Sequence, residues 1–298
     1  MLQEQELEAY RRAGKLLAEV RERLRPMVRV GESLVRIAEE AERLIQEKGA
    51  KPAFPCNVSL NEVAAHYSPP ADDPTVIKEG DLVKVDLGAH LDGYIADTAF
   101  TVATDEEGEK LKEAAERALE AAIAAVRPGV ELGEVGKAIE EAARAAGFKP
   151  VANLTGHSLS RWTLHAGLTI PNTHVRTGQR LEVGEVVALE PFVTAGAGYV
   201  EDTKEVLIFR YLRERPVRLR MTRELLRDLK KTYNGLPFAE RWLAKRMSKL
   251  RLRLTLRELV ETGALWPYHV LVERSGKKVA QAEHTVLVTE GGCEVLTA

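Results

Sequence analysis

Two cysteines, Cys56 and Cys293, in 298 residues stand too far apart for a CxxC unit and are too few for a disulfide framework. The chain therefore reads as one that keeps its thiols reduced and takes its stability from a core. No apolar run approaches the roughly 20 residues of a membrane-spanning helix. The opening MLQEQELEAYRRAGKLL is charged and helical, without the apolar centre of a secretory signal. These absences set aside a membrane or secreted protein and leave a cytoplasmic enzyme or binding protein as the expectation. Net charge is almost lacking as well: 43 Lys and Arg against 45 Asp and Glu leave −2, which predicts no global attraction to DNA or to a membrane surface. Asn, Gln and Cys are sparse beside abundant Glu, Arg and Lys, a composition that suits a thermophile. What is present is 45% hydrophobic residues over a length that buries a full core, as one large domain or two small ones.

Apolar positions at helical spacing predict helices over 3–24, 33–48, 105–126 and 132–146. The second opens after Gly31-Glu32-Ser33, with Ser33 as a plausible cap, and the last two are separated by Arg127-Pro128-Gly129. Residues 51–67 read as a proline-punctuated loop running into a strand-like segment that ends at His66, and strand-like stretches return from 150 to 209. This succession repeats itself. RPMVRVGESLVRIAEEAERLIQEKG from Arg25 resembles RPGVELGEVGKAIEEAARAAG from Arg127, GDLVKVD from Gly80 resembles GEVVALE from Gly184, and GYIADT from Gly93 resembles GYVEDT from Gly198. A pseudo-twofold axis relating two such halves would bring Asp86 and Glu190 to one central site. From Glu205 to Trp266 the composition shifts to 16 Lys or Arg against 7 Asp or Glu, so this segment carries +9 and the remainder −11. It reads as short helices with a turn at Asn234-Gly235, an inserted helical subdomain over 205–266 that interrupts a catalytic domain made of 1–204 and 267–298. Its basic face could dock on nucleic acid, or be a solvated surface that balances an acidic domain.

The chemistry begins in DLVKVDLGAHLDGYIADTAFT, residues 81–101. Val83, Val85 and Leu87 fall on one face of a strand, Lys84 and Asp86 on the other, and His90-Leu91-Asp92-Gly93 carries the Asp-Gly signal of a tight hairpin. With Leu91-Asp92 as the loop, Asp86 and Asp97 oppose each other directly, about 4.5–5.5 Å apart at Cβ; with Asp92-Gly93 they are diagonal neighbours at about 7–8 Å. Either register brings two carboxylates together and calls for a positive charge between them, although acids in hairpins are often merely solvated. Glu190 in VVALEPF and Glu283 in VAQAEHTVLV are acids inside apolar strands, costly to bury without a partner. Residues 149–175 hold His157, His165 and His174, with His165 corresponding roughly to His66 in the repeat. One histidine alone is usually structural, but three beside an acid cluster favour a site for one or two. Asp86, Asp97, His157, Glu190 and Glu283 together bring four carboxylates, which a dry pocket tolerates only when they are protonated or neutralised, here by about two divalent cations. Oxygen-rich ligation with one imidazole suits Co, Mn, Fe or Zn in an open catalytic site better than a structural zinc. Two such cations, about 3.5–4 Å apart, acidify a water and hold substrate oxygens, which is hydrolase chemistry.

AFPCNVSLNEVAAHY, VDLGAHLDGYIADTAFTV, NLTGHSLSRWTLHAG, ALEPF and AQAEHT resemble, in this order, the blocks of type II methionine aminopeptidases of the archaeal kind, members of the pita-bread metallopeptidases. The segment 205–266 falls where type II enzymes carry a helical insertion. The resemblance implies an α+β pita-bread fold with a pseudo-twofold repeat, and the removal of initiator methionine from nascent polypeptides by a monomeric cytoplasmic enzyme. It implies that Asp86, Asp97, His157, Glu190 and Glu283 are the metal ligands, with Asp97 and Glu283 bridging or bidentate. His66 and His165 would contact substrate, His165 polarising the scissile carbonyl and His66 meeting the amide nitrogen or leaving group. Glu190 would relay a proton from the bridging water to the departing amine. Phe54, Ala65, Leu154, Leu164 and Phe192 would line the methionine pocket, with Tyr268 closing one edge. Cys56, where many relatives have no thiol, suggests sensitivity to thiol reagents. The resemblance leaves two rivals: an Xaa-Pro aminopeptidase or dipeptidase of the same fold, and a non-catalytic homologue that binds RNA or ribosomes. The second tends to lose ligands, whereas all five are here; the basic insertion could still face the ribosome.

Overall fold

Amphipathic helices form where the spacing predicts them: α1 (Glu4–Leu24), α2 (Leu34–Glu47), α3 (Glu106–Ala125) and α4 (Leu132–Ala145), in a computed structural model that describes residues 2–244 and 246–298. Each buries one stripe. On α2 the stripe includes Leu34, Ile37, Leu44 and Ile45, and fully burying an aliphatic side chain of that size contributes about 1.5–3 kcal/mol. Asp105 caps α3 by accepting a hydrogen bond from the Gly108 N–H at 2.7 Å, with Glu106, Glu107 and Glu109 beside the positive end of the helix dipole. Ser33 holds the corresponding position of α2 but makes no side-chain cap; the Leu34 N–H goes to the Thr75 carbonyl at 3.2 Å instead.

The strands of the first half are β1 (Lys51–Leu60), β2 (Val63–Ala65), β3 (Leu82–Leu91) and β4 (Tyr94–Ala103). β1 overturns the loop expected after residue 51. Pro52 and Pro55 fit within it because β1 is the edge strand of its sheet and its pairing with β3 slips between Pro52 and Phe54 and again between Phe54 and Asn57. A proline, having no N–H to give the ladder, is tolerated at edges and bulges of this kind. In the β3–β4 hairpin Leu91 opposes Tyr94, which makes Asp92-Gly93 the loop; their φ values of 49° and 90° are the left-handed pair that a type I′ turn requires.

The remaining strands are β5 (Lys149–Pro150), β6 (Thr155–Leu159), β7 (Thr169–Pro171), β8 (Val186–Leu189), β9 (Phe192–Thr194), β10 (Val200–Tyr211), β11 (Pro237–Ala239), β12 (Leu265–Glu273), β13 (Val279–Gln281), β14 (Glu283–Thr289) and β15 (Gly292–Val295). Among the described residues the largest sheet has eight strands in the order β1-β3-β4-β14-β8-β6-β7, with β15 paired to β14; smaller sheets run β11-β10-β12-β2 and β13-β9-β5. β14 joins the halves, pairing with β4 on one side and β8 on the other. One apolar core packs α1 and α2 on Val83, Val85 and Leu87; a second packs α3 and α4 on Val187, Leu189 and Val286. The alternate residues of these strands face away from the helices. The architecture is α+β, as expected. No helix among the described residues is long and apolar enough to cross a membrane.

Between β10 and β12 the chain forms α5 (Arg220–Tyr233), α6 (Glu240–Leu243) and α7 (Lys249–Glu261), which share a core that includes Leu225, Leu229, Phe238, Leu252 and Leu259. α5 ends at the anticipated turn, with Asn234 at φ 47° and Gly235 at φ 88°. The range 205–266 takes in the last residues of β10 and the first of β12, which pair with each other as far as Tyr211 and Leu265. A buried ion pair ties α6 to α2: Arg241 donates to both Glu42 oxygens at 2.9 and 2.7 Å and to the Pro69 carbonyl at 3.0 Å, and Trp242 Nε1 donates to Glu42 at 2.8 Å. Breaking one partner of a buried pair of this kind typically costs about 3–5 kcal/mol, because the other charge is left stranded.

Candidate active site

Five neighbouring strands of the large sheet, β3, β4, β14, β8 and β6, carry Asp86, Asp97, Glu283, Glu190 and His157 respectively, Glu190 just past the end of β8. Asp86 opposes Ala99 and Asp97 opposes Gly88, so the two aspartates are diagonal neighbours on one face, the second of the two registers open to the sequence. Glu283 also pairs at Ala99, and His157 at Ala188. His157 Nε2 lies 3.4 Å from Glu190 Oε1 and 3.7 Å from Asp97 Oδ2. Ligand atoms of Asp97, His157 and Glu283 all fall within 4.8 Å of one another. The second half of the repeat does not reproduce the hairpin acids: Asp202, the counterpart of Asp97, is exposed on β10.

These groups sit in a cavity of about 220 Å³. The two largest hollows described, of about 490 and 580 Å³, lie against the segment between β10 and β12, and among the described residues neither holds a comparable metal-ligating cluster. Phe54, Ala65, Leu154, Leu164, Phe192 and Tyr268 all line the smaller cavity, together with His66 and His165. A side chain at Gly88 would collide with the Phe54 ring, which explains a glycine there. One expectation from the sequence fails. Cys56 faces the opposite side of β1, buried in the core beneath α2 and away from the cavity, and burial pushes its thiol well up, the setting of a structural cysteine; alkylation of the folded protein should leave its activity unchanged. Of the three histidines in 149–175, His157 and His165 line the cavity and His174 is on the surface beside Glu134, in keeping with a site for one or two of them.

Burial pushes the Asp86 carboxyl up to about 7. It raises Asp97, Glu190 and Glu283 well above the carboxylate range, with repulsion among the acids adding to the effect. The same desolvation holds His157 down at about 4, so its imidazole is neutral. Asp86 Oδ1 and Asp97 Oδ1 are buried without any hydrogen-bond partner. Gln281 Nε2, 3.2 Å from Glu283 and 3.5 Å from Asp86, is a neutral donor and offsets no charge. Orphaned carboxylate oxygens, four acids and a neutral imidazole converging on one point fit divalent cations, since a buried anion is tolerated when it coordinates a metal.

The other two histidines are neutral as well. His66 adopts a left-handed φ of 65°, a backbone state that ordinary residues take mainly where surrounding structure enforces it. Its Nδ1 lies 3.0 Å from the His269 carbonyl and so carries the proton, which leaves Nε2 as an acceptor. Burial lowers its pKa. The His165 ring lies 4.3 Å from that of His157, and burial, helped by the positive charge of Arg210 and by the neighbouring His157 and His66, which oppose a further proton, holds it down at about 3.

Several supporting residues escaped the sequence reading. Thr285 Oγ1 accepts from the Asp97 N–H and donates to its carbonyl, both at 2.8 Å, which pins the aspartate in place. Asn172 Nδ2 donates to the carbonyls of Leu154 and Glu190 at 3.0 and 3.3 Å. Ile208 and Pro237 close the cavity from the side of the insertion. Gln281 and Thr285 each lie two residues from Glu283, a spacing that alternation puts on its face; the others are brought in by contacts distant in sequence.

The model of metallopeptidase family M24 matches residues 8–290. A methionine aminopeptidase from Methanothermobacter thermautotrophicus is 50% identical over 98% of this chain and 98% of its own length, and one from Thermococcus onnurineus is 48% identical over 98% and 99%. Among solved structures, the methionine aminopeptidase from Thermotoga maritima aligns with a TM-score of 0.73 at 26% identity, covering 99% of this chain and 98% of that one. With its buried acids, its neutral imidazole and matches that run nearly end to end, the chain belongs to metallopeptidase family M24, among the archaeal-type methionine aminopeptidases of the pita-bread fold.

Proposed function

We propose that this chain removes the N-terminal methionine from nascent proteins and peptides, using two divalent cations held by Asp86, Asp97, His157, Glu190 and Glu283. The observation that carries this reading is the convergence of those five side chains, two with orphaned oxygens, on the floor of an apolar-walled cavity. Divalent cations supply Lewis acidity, lowering the pKa of a water and drawing charge from a scissile carbonyl. The protein does the rest. Glu190, raised by burial, exchanges a proton between the attacking water and the departing amine. His165, neutral at working pH, donates a ring N–H to the scissile carbonyl. His66 has its Nδ1 proton committed to the His269 carbonyl, so its Nε2 accepts from an N–H, which suits the amide nitrogen of the bond being cut. Phe54 and Phe192 offer aromatic walls to a flexible, polarisable thioether.

Hydrolysis of Met-Ala-Ser beside Ala-Pro and Met-Pro peptides, on metal-stripped protein with Co, Mn, Fe and Zn returned singly, tests this. Release of methionine from Met-Ala-Ser, restored by metal, is the expected result. A preference for Xaa-Pro peptides would move the chain to the proline-peptidase branch, and no hydrolysis with any metal would favour a binding protein.

The reading includes a monomer in the cytoplasm whose insertion meets the ribosome through exposed Arg218, Arg220 and Arg223. Neutralising all three should abolish co-sedimentation with ribosomes at low salt; unchanged co-sedimentation would remove that contact.

A further inference from the structure

Arg210 is a cation without an anion at the edge of the active-site cavity. On β10, Ile208 faces the cavity, and strand alternation puts Arg210 on the same face two residues further along. Its ladder neighbours are Pro237, which lines the cavity, and Trp266, which is 53% exposed, so Arg210 stands where the cavity wall gives way to the surface. Its Nε is buried with no hydrogen-bond partner, and no carboxylate among the described residues pairs with its guanidinium. Two more deeply buried arginines are satisfied: Arg241 holds Glu42, and Arg21 donates to Thr98 and to the Thr297 carbonyl. The charge of Arg210 is also felt inside the site. It adds to the burial that holds His165 down and opposes the burial that pushes Tyr268 up. A planar fork of donors, desolvated at one nitrogen and close enough for its charge to be felt at His165 and Tyr268, matches a carboxylate better than any other common peptide group.

We propose that Arg210 binds a carboxylate carried on the leaving side of the substrate, beyond the bond that is cut, and thereby favours methionyl peptides whose following residues present an acidic group. This rests on the methionine-removal reading above, in which His165 and His66 flank the scissile amide. The carboxylate has two sources, an Asp or Glu side chain shortly after the methionine or the free terminus of a short peptide.

The test compares kcat/KM for Met-Ala-Asp-amide, Met-Ala-Lys-amide, Met-Ala-Ser-amide and Met-Ala-Ser in the metal-loaded protein and in the Arg210→Met and Arg210→Lys variants. Because each comparison is a ratio between substrates of one preparation, partial misfolding of a variant cancels. The wild type should prefer the Asp peptide to the Lys peptide by about tenfold or more at low salt, and less at high salt. Arg210→Met should bring that ratio within about twofold, and Arg210→Lys should restore part of it. An Arg210-dependent preference for Met-Ala-Ser over its amide assigns the carboxylate to the peptide terminus; a preference confined to the amidated Asp peptide assigns it to the side chain. Methionine release with no acid preference, or a preference that survives Arg210→Met, overturns the role of Arg210 and leaves methionine removal intact. No release from any of the four peptides overturns both.

Discussion

Asp97→Asn lowers kcat/KM for methionine release by three orders of magnitude or more, about 4 kcal/mol of lost transition-state stabilisation, and leaves the protein unable to retain its full metal complement on elemental analysis. The size follows from where Asp97 sits. It is the diagonal neighbour of Asp86, its Oδ2 is 3.7 Å from His157, and its ligand atoms lie within 4.8 Å of those of Glu283, while Oδ1 has no partner at all. An amide keeps the shape and loses the charge. Thr285 holds the backbone of residue 97 from both sides, so the substitution should leave the strand in place and change only the chemistry. Asp202→Asn is the matched control, since Asp202 occupies the equivalent place in the repeat but is exposed; its activity should stay at the wild-type level. Activity of Asp97→Asn within tenfold of wild type, with full metal retention, would show that Asp97 is not a ligand.

Stripping the metal lowers the melting temperature, and the loss grows as pH rises from about 5 to about 7.5. Burial raises Asp86 from its ordinary 3.8 to about 7 and moves Asp97, Glu190 and Glu283 in the same direction. A carboxyl whose folded pKa lies above its unfolded one binds its proton more tightly when folded. Its contribution to the metal-free protein is therefore intact below the unfolded value and is lost as pH climbs towards the folded one. For Asp86 alone the three-unit interval corresponds to roughly 4 kcal/mol at most. Bound cations take the place of those protons and remove the penalty, so the metal-loaded protein does not share the decline. With about 2 °C or more per kcal/mol for a chain of this size, the gap between loaded and stripped protein should reach on the order of 10 °C near neutral pH. Parallel melting curves across that range, with a gap that ignores pH, would mean that protons and metal do not compete for the same carboxylates.

Legibility in the sequence varied with the kind of interaction that sets each feature. α2 and α4 could be read almost to the residue, because a 3.6-residue apolar stripe is a local property. The Asp92-Gly93 turn was half legible: the dipeptide announced a hairpin, and only the backbone, with two left-handed residues in succession, chose the register that makes Asp86 and Asp97 diagonal. β1 was misread as a loop because Pro52 and Pro55 are strand breakers in the interior of a sheet. That β1 lies at an edge is a property of the sheet and not of the segment. Cys56 was misjudged for a similar reason, since one step of strand alternation separates the cavity side of β1, where Asn57 lies, from the core beneath α2.

The acids themselves stood out in the sequence. Asp86, Glu190 and Glu283 interrupt apolar strands, and a carboxylate in such a setting is costly unless something neutralises it. The internal repeat further implied that its two halves would share a site. Chain order could not say which repeated acids would meet: Asp97 and Asp202 stand in the same hexapeptide context, yet one is buried beside Glu283 and His157 and the other faces outward. β14 decides between them by pairing with β4 and β8 at once, which brings Glu283 beside Asp97 and closes the halves on one cavity. Composition, period and spacing thus determined the helices, the repeat and the acid-bearing strands, because each depends on neighbours along the chain. Tertiary structure alone decided burial, register, the acceptor nitrogen of His66 and the unpaired guanidinium of Arg210, because each depends on contacts between segments far apart in sequence.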